Sequence, residues 1–345
     1  MTRFAWWPSA ALLALLPVLA LSAAGQAPGY RVLQSYAIGG DGGWDYLALD
    51  TVGHRLFIGH QDRITVVDPA SGRVLGEIPG LNRAHGVAFS YATGHGFATS
   101  GADSTVTMFD LKTLKVLGRT VVAVDDDAVL YDPASRRIFT MNGDANSSSV
   151  IDPASGQRVG TVPLGGKPEF AVSAGDGKVY ANLADKGEVA EIDAAGMRVL
   201  RTWPIAPCES PTGLAIDRVH HRLFSVCRNK LMAISDARAG RLITTVPIGA
   251  GVDAAAFDPA TGDAFASNGD GTLTVVHEDT PDRFSVLQTV ETMPGARTMA
   301  LDPATHRLYT VSAKFGPAPA APTPDNPRRR PPVIPGSFTL LVLGR

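Results

Sequence analysis

Three observations predict an all-β, seven-bladed β-propeller. Pro211 to Gly249 reads PTGLAIDRVHHRLFSVCRNKLMAISDARAGRLITTVPIG, four short apolar runs separated by the turn-like DRVHH, CRNK and DARAG, the pattern of a four-stranded antiparallel meander. The aromatic of the second run recurs as Phe57, Phe97, Phe139, Tyr180, Phe224, Phe265 and Tyr309, at intervals of about 40 residues. The acids that close the third runs, Asp68, Asp110, Asp152, Asp193, Asp236 and Glu278, keep the same spacing independently. A four-stranded unit with two apolar faces is stable only between copies of itself, and these copies close into a ring.

Residues 1 to 27 stand apart from the rest. Arg3 is their only charge, and AALLALLPVLALSAA follows it, ending in small residues. This predicts a signal peptide cleaved between Ala23 and Ala27, and hence a periplasmic or secreted protein. The alternative is an uncleaved anchor, for which the apolar run is short. From residue 30 to 345 one domain is expected, since the repeat covers nearly all of it. Its 36 Gly and 25 Pro suit many turns, and 45% apolar residues can fill a core between blades. A formal net charge of −2 gives no general attraction to nucleic acid or an anionic membrane, so neither is an expected partner. A small-molecule ligand or a periplasmic protein is the expected partner of a monomeric chain that has no membrane span once its leader is removed.

The segment 30 to 40, YRVLQSYAIGG, matches the fourth strands RVLGEIPGL at 73 to 81, RVLRTWPIA at 198 to 206 and RLITTVPIG at 241 to 249. It precedes any blade that could hold it. The last repeat lacks a fourth strand after Arg297 to Asp302, Arg307 to Ser312 and Ser337 to Leu343, so the N-terminal strand is expected to complete it and remove an open edge. Blades one to six are read as 44 to 81, 84 to 122, 126 to 165, 168 to 206, 211 to 249 and 252 to 293.

Between third and fourth strands lie DPASG at 68 and at 152, and DARAG at 236, in which Asp bonds the turn backbone and Gly takes the left-handed position. The turns after first strands carry His54, His95, His220, His221 and His306, placed at the end of the ring away from the ligand face. The pair His220 and His221 is read as turn chemistry rather than a metal site. In blade seven a proline-rich insertion, GPAPAAPTPDNPRRRPPVIPG at 316 to 336, favours polyproline-like structure and excludes sheet. Arg328, Arg329 and Arg330 are its charge cluster, in a solvated loop or, alternatively, an arm that contacts an anion or a partner. Cys208 and Cys227 fall at one face of blade five, and export makes a disulfide the expected state, with a thiolate metal site as the alternative.

The blade pattern of PTGLAID, RLFSV and DARAGRLITTVPIG resembles the YVTN repeats of YncE-like bacterial β-propellers, with RLF and RLY in place of the YVTN string. The resemblance implies an exported seven-bladed propeller and no common activity. Its wider relatives resemble lactonases, streptogramin lyases and haem-bearing propellers, but this chain has no CxxCH for covalent haem.

Innermost strands should present one position per blade to the central funnel: Asp45, His85, Asp127, Glu169, Thr212, Asp253 and Arg297. A companion ring at the ends of the second strands is His60, Ser100, Asn142, Leu183, Cys227, Asn268 and Ser312. Asp45, His60, His85, Asp127, Asn142, Glu169, Asp253, Asn268 and Arg297 are thus the candidate ligand-binding residues. No motif demands a cofactor, yet carboxylates beside amide oxygens suit Ca²⁺ or another divalent metal. Asn142, Glu169, Asp253 and Asn268 are the candidate ligands, similar in kind to the set in lactonase-type propellers. His85 is the candidate general base. No GxSxG, Walker loop or HExxH occurs. The expected function is binding of a ligand, metal ion or partner at the funnel; the alternative is a metal-dependent, lactonase-like hydrolase or a lyase.

Overall fold

The computed structural model describes residues 1–5, 29–322, 329 and 331–345. Almost all of the expected signal peptide lies outside the described residues, as do Arg328 and Arg330. Seven four-stranded sheets follow one another, each an antiparallel meander, and the described residues contain no helix. The turns explain the regularity. In blade one the Asp68 carboxylate accepts from the Ala70 N–H at 2.9 Å, the Asp68 carbonyl accepts from the Gly72 N–H at 2.8 Å, and Gly72 sits at φ +71°. Asp152 with Gly156, and Asp236 with Gly240, repeat that geometry. A positive φ at this point is the conformation glycine supplies without strain.

Apolar side chains fill the space between neighbouring blades. Phe57 of blade one, for example, meets Phe89 and Phe109 of blade two at centroid distances of 5.0 and 5.8 Å. The recurring second-strand aromatics are all buried. Fourth strands lie outermost and keep only part of their surface covered, as in Val74–Pro79.

The ring is closed by its two ends. Arg31–Ala37 pairs antiparallel with Thr339–Gly344, Arg31 opposite Gly344 and Ala37 opposite Thr339, and supplies the fourth strand of blade seven. Tyr30 secures this strand on blade six. Its hydroxyl donates to Asp263 at 2.8 Å, and Gln288 accepts from its N–H and donates to its carbonyl. The Arg345 guanidinium lies 4.6 Å above the Tyr30 ring and pairs with the same Asp263.

Cys208 and Cys227 form a disulfide, with Cα atoms 5.6 Å apart. The proline-rich insertion corrects one expectation. Its base is a short antiparallel contact, Phe315 bridging Val333, with the Gly316 N–H donating to the Pro332 carbonyl at 2.9 Å. Proline forbids ladder donors only at its own nitrogen, so Val333 and Pro332 can still accept or pair at an edge.

Candidate functional site

The residues at the inner ring are aimed by a repeated irregularity. In blades two to six the ladder between first and second strands breaks where the ring residue sits: between Ala84 and Val87, Asp126 and Val129, Pro168 and Ala171, Pro211 and Leu214, and Val252 and Ala254. Such a break twists the strand and redirects the unpaired side chain. His85, Asp127, Glu169, Thr212 and Asp253 each fall within one of these breaks. Blades also approach closely there: a Cβ on Gly213 would come within 2.6 Å of the Ala254 Cα.

Five ring residues make one chain of alternating charge across blades three, two, one, seven and six. His85 Nδ1 donates to Asp45 Oδ2 and stands 3.1 Å from Asp127 Oδ1. Because the ring N–H points at Asp45, Asp127 Oδ1 accepts no hydrogen bond. Arg297 Nε donates to Asp253 Oδ2 at 2.7 Å, and its Nη2 lies 3.6 Å from Asp45 Oδ1. Burial alone pulls the His85 pKa down. The Asp45 hydrogen bond and the charges of Asp127 and Asp45 outweigh it and lift the imidazole to about 8. At neutral pH His85 is therefore an imidazolium held between carboxylates, and its Nε2 is buried without a partner. As the candidate general base His85 would act from its deprotonated form, which the neighbouring carboxylates disfavour.

The carboxylates outnumber these two cations. Burial, the largest effect, pushes Asp127 well above the usual carboxylate range against the opposing charge of His85. Burial likewise raises Glu169, with Arg228 opposing it, and Asp253, with Arg297 opposing it. Glu169 and Asp127 share the wall of a cavity of about 440 Å³. Arg83, Lys167 and Arg228 line it too. Arg83 and Lys167 both reach Asp125, at 3.1 and 3.3 Å, and Lys167 also reaches Asp144 at 2.8 Å. Acidic and basic side chains thus share the wall, which Asp125 and the exposed Asp185 line as well.

Sequence reasoning missed the floor of the funnel. Tyr46, next to Asp45 in blade one, packs on Phe170, next to Glu169 in blade four, with ring centroids 5.1 Å apart. Blades one and four stand on opposite sides of the ring, so this pair spans the axis. Burial, then the charges of Asp127, Asp253, Asp45 and Glu169, raise the Tyr46 phenol well above its ordinary pKa. Asp126 was also missed, although the run Asp125, Asp126, Asp127 is a visible signal. It is fully buried, accepts from the Ser100 N–H at 3.1 Å, has Oδ1 unpartnered, and is raised by burial to about 7.

The companion ring does not join the funnel. Asn142 is fully buried, accepts from the Thr140 hydroxyl and donates to Ser147 and Ser149 of its own blade. Asn268 donates in the same way to Thr272 and Thr274. The amide nitrogens of both residues are thus spent on hairpin hydroxyls of their own blades, while Asn268 Oδ1 is buried without a partner. His60 is buried too, its ring 4.4 Å from that of Phe338 and its Nδ1 3.2 Å from the Thr65 hydroxyl. Burial and the Arg63 charge hold it down near a pKa of about 4. The residues brought together are instead Asp45, His85 and Asp127, whose ligand atoms lie within 4.8 Å of one another.

No known protein-family model matches this sequence, and no curated protein matches it. Solved structures do match in fold. Hydrazine synthase of Kuenenia stuttgartiensis aligns at TM-score 0.70 and 16% identity, covering 78% of this chain and 92% of that one. The WD40 repeats of RRP9 align at 0.73 and 12% identity, covering 91% and 97%, and U3-55K at 0.72 and 12%, covering 90% and 98%. These likenesses establish the propeller, and the specific repeat family stays a matter of the motifs quoted above.

Proposed function

We propose that this chain is a binding propeller of the YncE-like kind, exported after loss of its leader, whose funnel takes a small ligand bearing both a cationic and an anionic group. The carrying observation is the 440 Å³ cavity, whose wall brings the carboxylates of Asp127 and Glu169 together with the basic side chains of Arg83, Lys167 and Arg228. A cavity of this size lies within the range of about 300–1,000 Å³ typical of small-molecule sites. An ammonium group against Asp127 and Glu169 offsets the carboxylate excess, while an acidic group meets the basic side chains of the same wall. The Tyr46–Phe170 pair limits the depth to which a ligand can enter. Export rests on Arg3 and the apolar run after it, with the Cys208–Cys227 bond in agreement, since such bonds persist in oxidising compartments.

The test is calorimetric titration of the mature protein with a panel of amino-acid-sized zwitterions, amines and acids. Binding of zwitterions that is lost in Glu169→Gln and weakened in Arg228→Ala supports the reading. Equal binding of simple acids by the wild type and Glu169→Gln sinks it.

A second reading is favoured by the closeness of Asp45, His85 and Asp127. A divalent cation can take the place of the proton on His85 Nδ1, and with it comes the alternative of a metal-dependent hydrolase. Metal bound by the wild type and not by Asp127→Asn, together with turnover of a lactone panel that chelation abolishes, selects this alternative.

A further inference from the structure

The end of the ring away from the funnel holds a second convergence of ligating groups, between blades five and six. Asp217 closes the first strand of blade five, His220 lies in the turn that follows, and Glu278 comes from the third strand of blade six. His220 Nδ1 stands 2.8 Å from Asp217 Oδ2 and 2.8 Å from Glu278 Oε1. All three side chains line a cleft of about 260 Å³.

Glu278 is the anomaly. At the equivalent position, Asp68, Asp152 and Asp236 use their carboxylates to accept the N–H groups of the following turn. In blade six the third strand runs on to Thr280, and the longer Glu side chain turns into the cleft instead. Its side chain is 4% exposed, and it meets only His220 Nδ1, a nitrogen it shares with Asp217, while its Oε2 has no partner. Arg222, the nearest guanidinium, is committed elsewhere: Nε donates to the Pro281 carbonyl, Nη1 to the His220 carbonyl and Nη2 to Asp282. Asp279, also on the cleft, is turned to Arg283 and Ser285. Two buried carboxylates that share a single imidazole nitrogen are costly unless a cation completes them.

We propose that blades five and six share a site for a divalent transition-metal cation such as Zn²⁺, with Asp217, His220 and Glu278 as its protein ligands. One imidazole nitrogen and two carboxylates form a donor set suited to Zn²⁺ rather than to the all-oxygen shell of Ca²⁺. Ligand atoms about 2.0–2.2 Å from a tetrahedral metal stand about 3.4 Å from each other, so the 2.8 Å contacts need to open only slightly. His220, with 46% of its side chain exposed, can swing by that amount. The fourth position faces the cleft and takes water. The ion ties the first-strand turn of blade five to the third strand of blade six.

The site is independent of the funnel, and its test keeps the two apart. Chelator-treated mature protein is titrated with Zn²⁺ alone, by calorimetry and by thermal melting, for the wild type, Glu278→Gln, His220→Ala, His221→Ala and Asp127→Asn. The expected result is one Zn²⁺ equivalent that raises the melting temperature. Its affinity falls at least about tenfold in Glu278→Gln and in His220→Ala and is retained in His221→Ala and Asp127→Asn. His220 is exposed enough for its replacement to fold, so unchanged Zn²⁺ binding in His220→Ala overturns the proposal, as does an absence of Zn²⁺ binding by the wild type.

Discussion

Arg297 Nε donates to Asp253 Oδ2 at 2.7 Å, and through this bond blade seven is tied to blade six at the rim of the funnel. The same guanidinium donates from Nη2 to the Trp44 carbonyl at 3.2 Å, reaching blade one across the point where the ring closes. Removal of Arg297 leaves Asp253 in a largely dry position with no cation in contact. We expect Arg297→Met to cost roughly 2 kcal/mol, less than the ~3–5 kcal/mol of a fully buried pair because a third of Arg297 remains exposed. Urea denaturation of Arg297→Met, Asp253→Asn and the double variant checks this. The double variant should recover part of the loss, and strict additivity would falsify the coupling.

Two raised pKa values set the direction of the pH dependence. His85 rises in the folded protein from 6.5 to about 8, so its contribution is whole below pH 6.5 and is lost as the pH climbs through about 8. Asp126 rises from 3.8 to about 7, so its contribution is lost on the way up to about pH 7. Both make stability decline from mildly acid to mildly alkaline conditions. For His85 the change is on the order of 2 kcal/mol. In chelator-treated protein, NMR titration should show His85 changing charge near pH 8 and His60 near pH 4. Asp126→Asn should flatten the fall in stability below pH 7; if the slope there persists unchanged, Asp126 is not its source.

The Cys208–Cys227 bond closes a loop with a sequence separation of 19. A loop of this length restricts the unfolded chain by an amount worth about 3 kcal/mol. Reductant should therefore lower the urea midpoint of the wild type and leave a Cys208→Ala, Cys227→Ala variant where it already is. Equal midpoints for oxidised wild type and the double variant would remove the bond from the account of stability.

Deleting the N-terminal residues through Ala37 uncovers the edge of Thr339–Gly344, a strand whose interior residues are buried. Unpaired edges of this kind pair with other chains. Size-exclusion chromatography of the truncated protein is expected to show dimers or larger species at concentrations where a chain that keeps Tyr30 to Ala37 gives a single peak. A lone, equally stable peak would show that the clasp is dispensable.

The fold was legible because each blade repeats its own local instructions. An Asp and a Gly at fixed offsets make the turn, and an aromatic at a fixed strand position fills the gap to the next blade. The inner ring was legible for the same reason, since counting along equivalent strands gave Asp45, His85, Asp127, Glu169, Asp253 and Arg297 in equivalent places. The contacts those residues make were not. Whether Asn142 points to the axis or folds back on Ser147 depends on the hydroxyls of its own hairpin, which strand alternation does not reveal. Tyr46 meets Phe170 across the ring, a contact between blades far apart in sequence that no period encodes. Glu278 was hidden by the regularity itself: it occupies a position where Asp makes a turn, and one extra methylene lets it do something else.

The pairing of Arg31 with Gly344 sets an order on assembly. Each meander joins neighbours in sequence and can form while the rest of the chain is still being made. The first strand, in contrast, has no partner until the last one exists. Nearly the whole length of the chain must be looped back before this one pairing forms, which places it among the slowest and most non-local of the contacts. Until then the chain is an open arc, with Tyr30 still to find Asp263 and both outer edges available to whatever chaperone or second copy meets them first.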